Sequence, residues 1–260
     1  MLFELRNLKE LASFVKEMKR GGRTIGFIPT MGFLHEGHMS LIRMSKKEAD
    51  VTITSIYVNP SQFNEGSDFD SYPRDESSDL KLLRENCCDA VFIPSKDEIE
   101  TIKKVCIDLE GLGNVMEGKF RPGHFEGVVE IVYRLFSAVT PDYAFFGEKD
   151  FQQKMVVQKM VDVLNLPVKI ISAPIIRESN GLAMSSRNAK LSAIGRKEAG
   201  FIYEALKSYF GKNHSVIEQR LASFGFELEY LEEYEFGGCK RLFIAGFFEG
   251  VRLIDNISLS

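Results

Sequence analysis

Thr24-Ile-Gly-Phe-Ile-Pro-Thr-Met-Gly-Phe-Leu-His-Glu-Gly-His38 is the stretch on which the reading of this chain turns. Thr24 to Ile28 is a short apolar, β-branched run, and a polar loop carries the chain to His38. From His38 to Glu48 apolar residues recur every three or four positions, and Val51-Thr-Ile-Thr-Ser-Ile-Tyr-Val58 is again β-branched. Strand, loop, helix and strand in that order predict a βαβ unit, whose crossover helix allows the two strands to pair in parallel.

The same alternation extends outward. Ala90 to Ile93, Tyr143 to Phe146 and Val168 to Ile171 read as strands, whereas Leu8 to Lys19, Glu76 to Glu85, Gly127 to Val139 and Phe151 to Leu164 have helical spacing. The expected fold class is α/β, a doubly wound, mostly parallel sheet with helices on both faces. After Ile171 the texture changes. A polar stretch, Glu178 to Asn188, precedes helices expected over Ser192 to Phe210 and Ser215 to Phe224, then short strands at Phe226 to Tyr230, Arg241 to Ala245 and Val251 to Ile254. Residues 1–175 are therefore expected to form the main domain and residues 176–260 a small C-terminal α+β domain.

Composition narrows the classes of partner. The 260 residues carry 33 Lys plus Arg against 37 Asp plus Glu, a net charge of −4 with no block of like charge. That balance argues against a general grip on nucleic acid or on an anionic membrane, so any polyanion must be small and held locally. The four cysteines, at 87, 88, 106 and 239, fit neither a disulfide framework nor C-x-x-C metal spacing. With no basic leader and no apolar run of about 20 residues, a cytoplasmic location without membrane contact is expected. Two nucleotide-site imitations fail: Gly111-Leu-Gly113 has Met116 where a third small residue is needed, and Gly113-x4-Gly118-Lys119 continues into Phe120 instead of a hydroxyl for Mg²⁺.

Three segments carry chemistry. His35 and His38 are three apart, so a helix starting at about 35 sets both rings on one face of its first turn, where free N–H groups and the helix dipole suit a phosphate chain. Such a position disfavours imidazolium until a polyphosphate binds. A capped helix start with incidental histidines, or a metal pair, are the alternatives. Phe146-Gly-Glu-Lys149-Asp150-Phe-Gln152-Gln153 again runs from a strand end into a helix; Lys149 offers charge to phosphate and Asp150 an acceptor to a ribose hydroxyl, unless the segment is an N-capped surface turn. Ala183-Met-Ser-Ser-Arg187-Asn188 reads either as an anion clamp or as a serine-rich helix start. Asn59-Pro-Ser-Gln62-Phe63, Tyr72-Pro-Arg74 and Arg121-Pro-Gly-His124-Phe125 complete the polar loops.

Taken in order, PTMGFLHEGH, VNPSQF, YPR, RPGHFEGV, FFGEKDFQQ, MSSRN and Arg252-Leu-Ile-Asp-Asn256 resemble the pantoate-beta-alanine ligase family across nearly the whole chain. The family lies within a wider group of Rossmann-like nucleotidyltransferases, whose H-x-G-H motif matches His35-Glu-Gly-His38. The resemblance implies that pantoate, activated by MgATP as a pantoyl adenylate with release of pyrophosphate, is joined to β-alanine with release of AMP. It assigns ATP to Met31, Gly32, Phe33, Leu34, His35, Glu36, Gly37 and His38, to Gly147, Glu148, Lys149 and Asp150, and to Ile176, Met184, Ser185, Ser186 and Arg187. It assigns pantoate to Gln62 and Gln153, with Gln62 also near β-alanine, and Asn59, Tyr72, Arg121 and His124 as further substrate contacts. His38, with His35, Lys149 and Arg187, holds the catalytic positions.

The resemblance also implies a homodimer and a C-terminal domain that acts as a lid. Two departures stand out. Ser78 precedes Asp79 where an acidic residue is expected, so no protein ligand for Mg²⁺ is assigned, and Glu232 to Gly238 joins two strands where a longer segment is expected. The alternative reading is an adenylyltransferase acting on a phosphorylated acceptor, against which stand the neutral amides of Gln62 and Gln153.

Overall fold

The structure is a computed structural model that describes residues 1–63, 66–209 and 214–259, the side chain of Ser67 excepted. The chain divides into two compact units, residues 1–148 with 152–173, and residues 149–151 with 174–260.

The first unit is built on six parallel strands: β1 (Phe3–Leu5), β2 (Ile25–Thr30), β3 (Val51–Ile56), β4 (Ala90–Phe92), β5 (Tyr143–Gly147) and β6 (Lys169–Ala173). Their order is β1-β4-β3-β2-β5-β6, with all pairs parallel. The connection after β2 winds one way and that after β5 the other, so β2 and β5 flank a topological switch point. The crevice beyond their carboxyl ends is the default ligand position in such a sheet. Both faces are covered. Phe27, Ile53 and Phe92 pack with the helices Leu8–Arg20, His124–Val139 and Phe151–Val163, while Ile28, Val91 and Phe145 pack with Glu36–Glu48 and Glu76–Glu85. Neighbours Phe27 and Ile28 point to opposite layers, as the two-residue period of a strand requires.

The second unit has its own core around a three-stranded antiparallel sheet, β7 (Glu227–Phe236), β8 (Cys239–Phe248) and β9 (Val251–Ser258). These strands outrun the expected ones. The glutamate-rich run Glu232 to Glu235 is part of β7, and Gly237 and Gly238, both at positive φ (56° and 85°), make the tight turn into β8. The helix expected from Ser192 to Phe210 is two helices, Ala193–Glu198 and Phe201–Lys207, and Phe210 itself lies outside the described residues. The break has a local cause: the Asn180 amide donates to the carbonyls of Arg196 (2.9 Å) and Lys197 (2.8 Å), capping the first helix from outside its own sequence. The three-residue strand β1 was not expected from the sequence. Among the described residues no helix is long and apolar enough to cross a membrane.

Candidate active site

Four devices shape the loop that follows β2. Thr30 Oγ1 donates to Ser55 O at 2.6 Å and accepts from Gly32 N at 3.1 Å, which turns the chain as it leaves the strand. Gly32 then adopts φ +78°, a conformation that suits glycine. Asp79, 2% exposed, accepts from Phe33 N (2.8 Å) on one carboxylate oxygen and from Leu34 N (2.6 Å) on the other. Burial pushes the Asp79 carboxyl above its ordinary range, and the two backbone N–H donors oppose that shift. The turn delivers the chain to His35, the N-cap of helix Glu36–Glu48.

The two histidines form the fourth device, a reciprocal cap. Gly37 N donates to His35 Nδ1 at 3.1 Å and His35 N donates to His38 Nδ1 at 3.3 Å, with the rings 4.2 Å apart. An accepting Nδ1 carries no proton, so each neutral ring bears its proton on Nε2. Capping thus uses Nδ1 of each ring and not Nε2, so the capped-start reading of the sequence does not compete with a functional one.

A second cluster centres on Gln62. The turn Pro60–Gln62 lies against helix His124–Val139 at Gly127, where a Cβ would meet Ser61 O at 2.3 Å, so only glycine permits the approach. The Asn59 amide donates to Gly127 O (3.2 Å) and accepts from Ser61 Oγ (3.1 Å), so the structure uses Asn59 to shape this turn. The carbonyl of Gln62 accepts from Arg121 (3.1 Å) and from His124 Nδ1 (2.8 Å), while Arg121 also contacts His124 Nε2 (3.1 Å) and buried Glu117 (3.3 Å). His124 therefore has the opposite tautomer from His35 and His38: it donates from Nδ1 and accepts from arginine at Nε2. Arg121 and His124 hold Gln62 by its backbone carbonyl and not by its side chain, and the residue is half-exposed. Tyr72 is buried with its ring 5.6 Å from that of Phe63. Gln153 is half-buried in the first turn of helix Phe151–Val163, whereas buried Gln152 serves the scaffold, bonding Glu117 N, Leu112 O and Val115 O.

The remaining candidates occupy the second unit, apart from Gly147 at the end of β5 and Glu148, which accepts from Ser172 Oγ at 3.0 Å. Lys149 lies 3.2 Å from Asp150 with its side chain 18% exposed. Ile176 and Met184 face each other across a short hairpin, Met184 N donating to Ile176 O at 2.9 Å. Ser185 caps the 3-10 turn Ser186–Lys190 by accepting from Arg187 N at 3.3 Å, with Ser186 buried and Arg187 half-buried.

The Pantoate-beta-alanine ligase family model matches residues 4–258. The chain belongs to that family. It is 43% identical over 278 aligned residues to the pantothenate synthetase of Christiangramia forsetii, covering 98% of each chain. It is 52% identical over 202 residues to that of Carboxydothermus hydrogenoformans, covering 77% of this chain and 71% of the relative. Among solved structures, the pantoate-beta-alanine ligase of Francisella tularensis, complexed with beta-gamma ATP and beta-alanine, superimposes with a TM-score of 0.91 at 36% identity, covering 99% of this chain and 98% of that one. The pantothenate synthetase of Thermus thermophilus gives a TM-score of 0.89 at 36% identity, covering 98% of each chain. Sequence reading gave no role to two residues that bond the backbone of candidate segments: Asp79, noticed only as the neighbour of Ser78, and Asn256, quoted in a motif, whose amide donates to Lys149 O at 3.0 Å. The signal for Asp79 was its place on the inner face of a helix otherwise lined by leucine.

Proposed function

We propose that this chain is the ATP-dependent ligase that condenses pantoate with β-alanine to pantothenate, by way of a pantoyl adenylate. The observation that carries the reading is the reciprocal histidine cap. In a chain of the ligase family it commits both Nδ1 atoms to the backbone and puts the proton of each ring on Nε2, beside the carboxyl end of β2.

In the first step a pantoate carboxylate oxygen attacks the α-phosphorus, the bond from that phosphorus to the β-bridging oxygen breaks, and pyrophosphate leaves with the electron pair. Charge builds on the leaving group, and preorganised N–H donors from His35 and His38, with Lys149 and Arg187, lower its energy. In the second step the β-alanine amine attacks the acyl carbon, the C–O bond to AMP breaks, and the amine gives up a proton. No enzyme nucleophile is needed.

Gln62 and Gln153 are assigned to pantoate, whose hydroxyls and carboxylate an amide can meet without adding charge. Mg²⁺ enters as part of the MgATP substrate. A lid role for the C-terminal unit and a homodimeric assembly belong to the same proposal.

ATP–pyrophosphate exchange tests the reading. Exchange is expected to need pantoate but not β-alanine, and AMP is released once β-alanine is added. Folded protein that exchanges without pantoate, or not at all, refutes it.

A further inference from the structure

Lys149 is held by a residue 107 positions further along the chain. Its carbonyl accepts a 3.0 Å hydrogen bond from Asn256 Nδ2 on β9, and Asn256 is 1% exposed. Asn256 Oδ1 in turn accepts from Arg241 Nε at 2.7 Å, and the Arg241 guanidinium lies 4.5 Å from the centre of the Phe151 ring. That ring packs on Phe236 and Phe243. The turn Lys149–Phe151 is therefore gripped at both ends. It belongs to the compact unit of residues 174–260, although the chain on either side of it belongs to the sheet unit.

The residue before Asn256 holds the other cationic segment. Asp255 accepts both arms of Arg177, at 2.6 and 2.9 Å, and Arg177 also donates to Gly181 O at 3.0 Å. The Arg177 guanidinium stacks 3.7 Å from the centre of the Tyr203 ring. A bidentate, stacked arginine fixes its backbone in orientation as well as in position. Arg177 lies in the hairpin that joins Ile176 to Met184 and leads straight to Arg187. Asn256 N donates to Asp255 Oδ1 at 2.7 Å, so the two grips sit on adjacent residues of strand β9.

We propose that Asp255-Asn256 is a coupling element: Asn256 is a positioning residue for Lys149, and with Asp255 it makes the Lys149 turn and the hairpin leading to Arg187 a single piece. This rests on the proposed role of Lys149 in meeting the triphosphate. A lysine ammonium sits on a flexible four-carbon stem, so its placement is only as good as that of its backbone. An amide suits position 256 because one side chain must both donate to a carbonyl and accept from an arginine. A carboxylate accepts only, and a hydroxyl is too short to serve both partners.

The deciding variant is Asn256→Asp, which keeps the acceptor for Arg241 and removes the donor to Lys149. Asn256→Ala removes both and leaves a buried arginine short of a partner. Each is measured in the full chain by pantoate-dependent exchange, with and without Lys149→Ala, and by thermal unfolding. At saturating ATP we expect Asn256→Asp to lower the exchange rate by about 10-fold or more at a temperature where the melt shows the variant fully folded. In the Lys149→Ala background the same change is expected to add less than about 2-fold, because residues acting through one group are not additive. An exchange rate for Asn256→Asp near wild type, or a loss of equal size in both backgrounds, overturns the positioning role. Undiminished exchange in Lys149→Ala alone refutes the lysine's role, and the proposal falls with it.

Discussion

Replacing Asp79 by asparagine tests how the histidine pair is held. The carboxylate meets two consecutive N–H donors, Phe33 at 2.8 Å and Leu34 at 2.6 Å, one per oxygen. Asparagine keeps one acceptor and turns an NH₂ group toward the other donor. The change forfeits at least one charge-assisted bond, worth about 1.5–3 kcal/mol, and leaves a buried donor unmet at about 1–3 kcal/mol. Relief from burying a charge offsets part of this, giving a net penalty of about 2–4 kcal/mol. Gly32 adds to the constraint, since its backbone approaches Asp79 so closely that a Cβ would lie 3.0 Å from Oδ2. If the penalty falls on the loop, the ratio of the loop with His35 and His38 correctly capped to the uncapped loop drops by roughly 30- to 1,000-fold. The assay is pantoate-dependent exchange at saturating substrates, read beside a denaturant melt. Asp79→Asn within about 2-fold of wild type in exchange, with an unshifted melt, would refute the clamp.

The same carboxyl sets a pH expectation. Its folded-state pKa is raised, chiefly by burial. The folded state then binds the proton more tightly than the unfolded one, so this group's contribution to stability is fully present below its ordinary value of 3.8 and is lost as pH rises through the raised pKa. Function runs the other way, because a protonated carboxyl has lost one of its acceptors for Phe33 and Leu34. Exchange is expected to fall on the acid side at a pH above the ordinary aspartate range, and Asp79→Asn, already slow, should lack that limb. An unchanged acid limb in the variant would assign it to another group.

Other outcomes follow from single contacts. His38→Ala is expected to slow adenylation by about 10²-fold or more through loss of a phosphate donor and of the cap, measured by exchange; near wild-type turnover removes His38 from the mechanism. Gly127→Ala sets a Cβ 2.3 Å from Ser61 O, a backbone atom that cannot rotate aside; it should cost about 1–3 kcal/mol in a denaturant melt and raise KM for pantoate, and an unchanged KM would separate Gln62 from pantoate. Asp255→Ala strands the largely buried Arg177 and should destabilise the C-terminal unit by about 3–5 kcal/mol, whereas a loss under about 1 kcal/mol would contradict the buried pair. Tyr209 is pushed up to about 12, first by burial and then by its bond to Glu233. Its contribution to stability is therefore full below pH 10.0 and lost as pH rises through about 12, so the alkaline fall in melting temperature should be shallower in Tyr209→Phe.

The sheet unit was legible because its signals are local and periodic. Each strand from β2 to β6 is a contiguous β-branched or aromatic run, and each long helix has its own apolar stripe. Strand β1 was not: Phe3-Glu-Leu5 has a charged residue at its centre and no β-branched one, unlike the equally short Ala90-Val-Phe92 of β4, the partner more than eighty positions away that makes it a strand. In the small unit the periodic signal was present but misread. Glu232 to Glu235 looked like a linker because charge dominates it, yet antiparallel pairing tolerates outward glutamates when cations face them, as Lys240 faces Glu233 and Arg252 faces Glu229. The break between the two helices after Ser192 came from Asn180, and no period within the helix could announce a cap supplied by another segment.

The candidate site divides along the same line. Residues that touch substrate in the proposed mechanism sit on the loops after β2, β3 and β5, in the first turn of helix Phe151–Val163 and in the MSSRN segment, where nearby residues reveal one another: two histidines a helical turn apart, or a lysine at a strand end. Residues that hold those loops act by side-chain to backbone hydrogen bonds, which have no sequence period and can reach any part of the chain. Asp79 reaches back 45 and 46 positions, Arg121 and His124 reach 59 and 62, and Asn256 reaches 107. Motif reading therefore found the groups that carry charge and picked out Arg121 and His124, though as substrate contacts and not as supports of Gln62, while it gave Asp79 and Asn256 no holding role. If catalysis rests on positioning and electrostatics, as in the mechanism proposed above, these holding residues should bear on the rate as the histidines do.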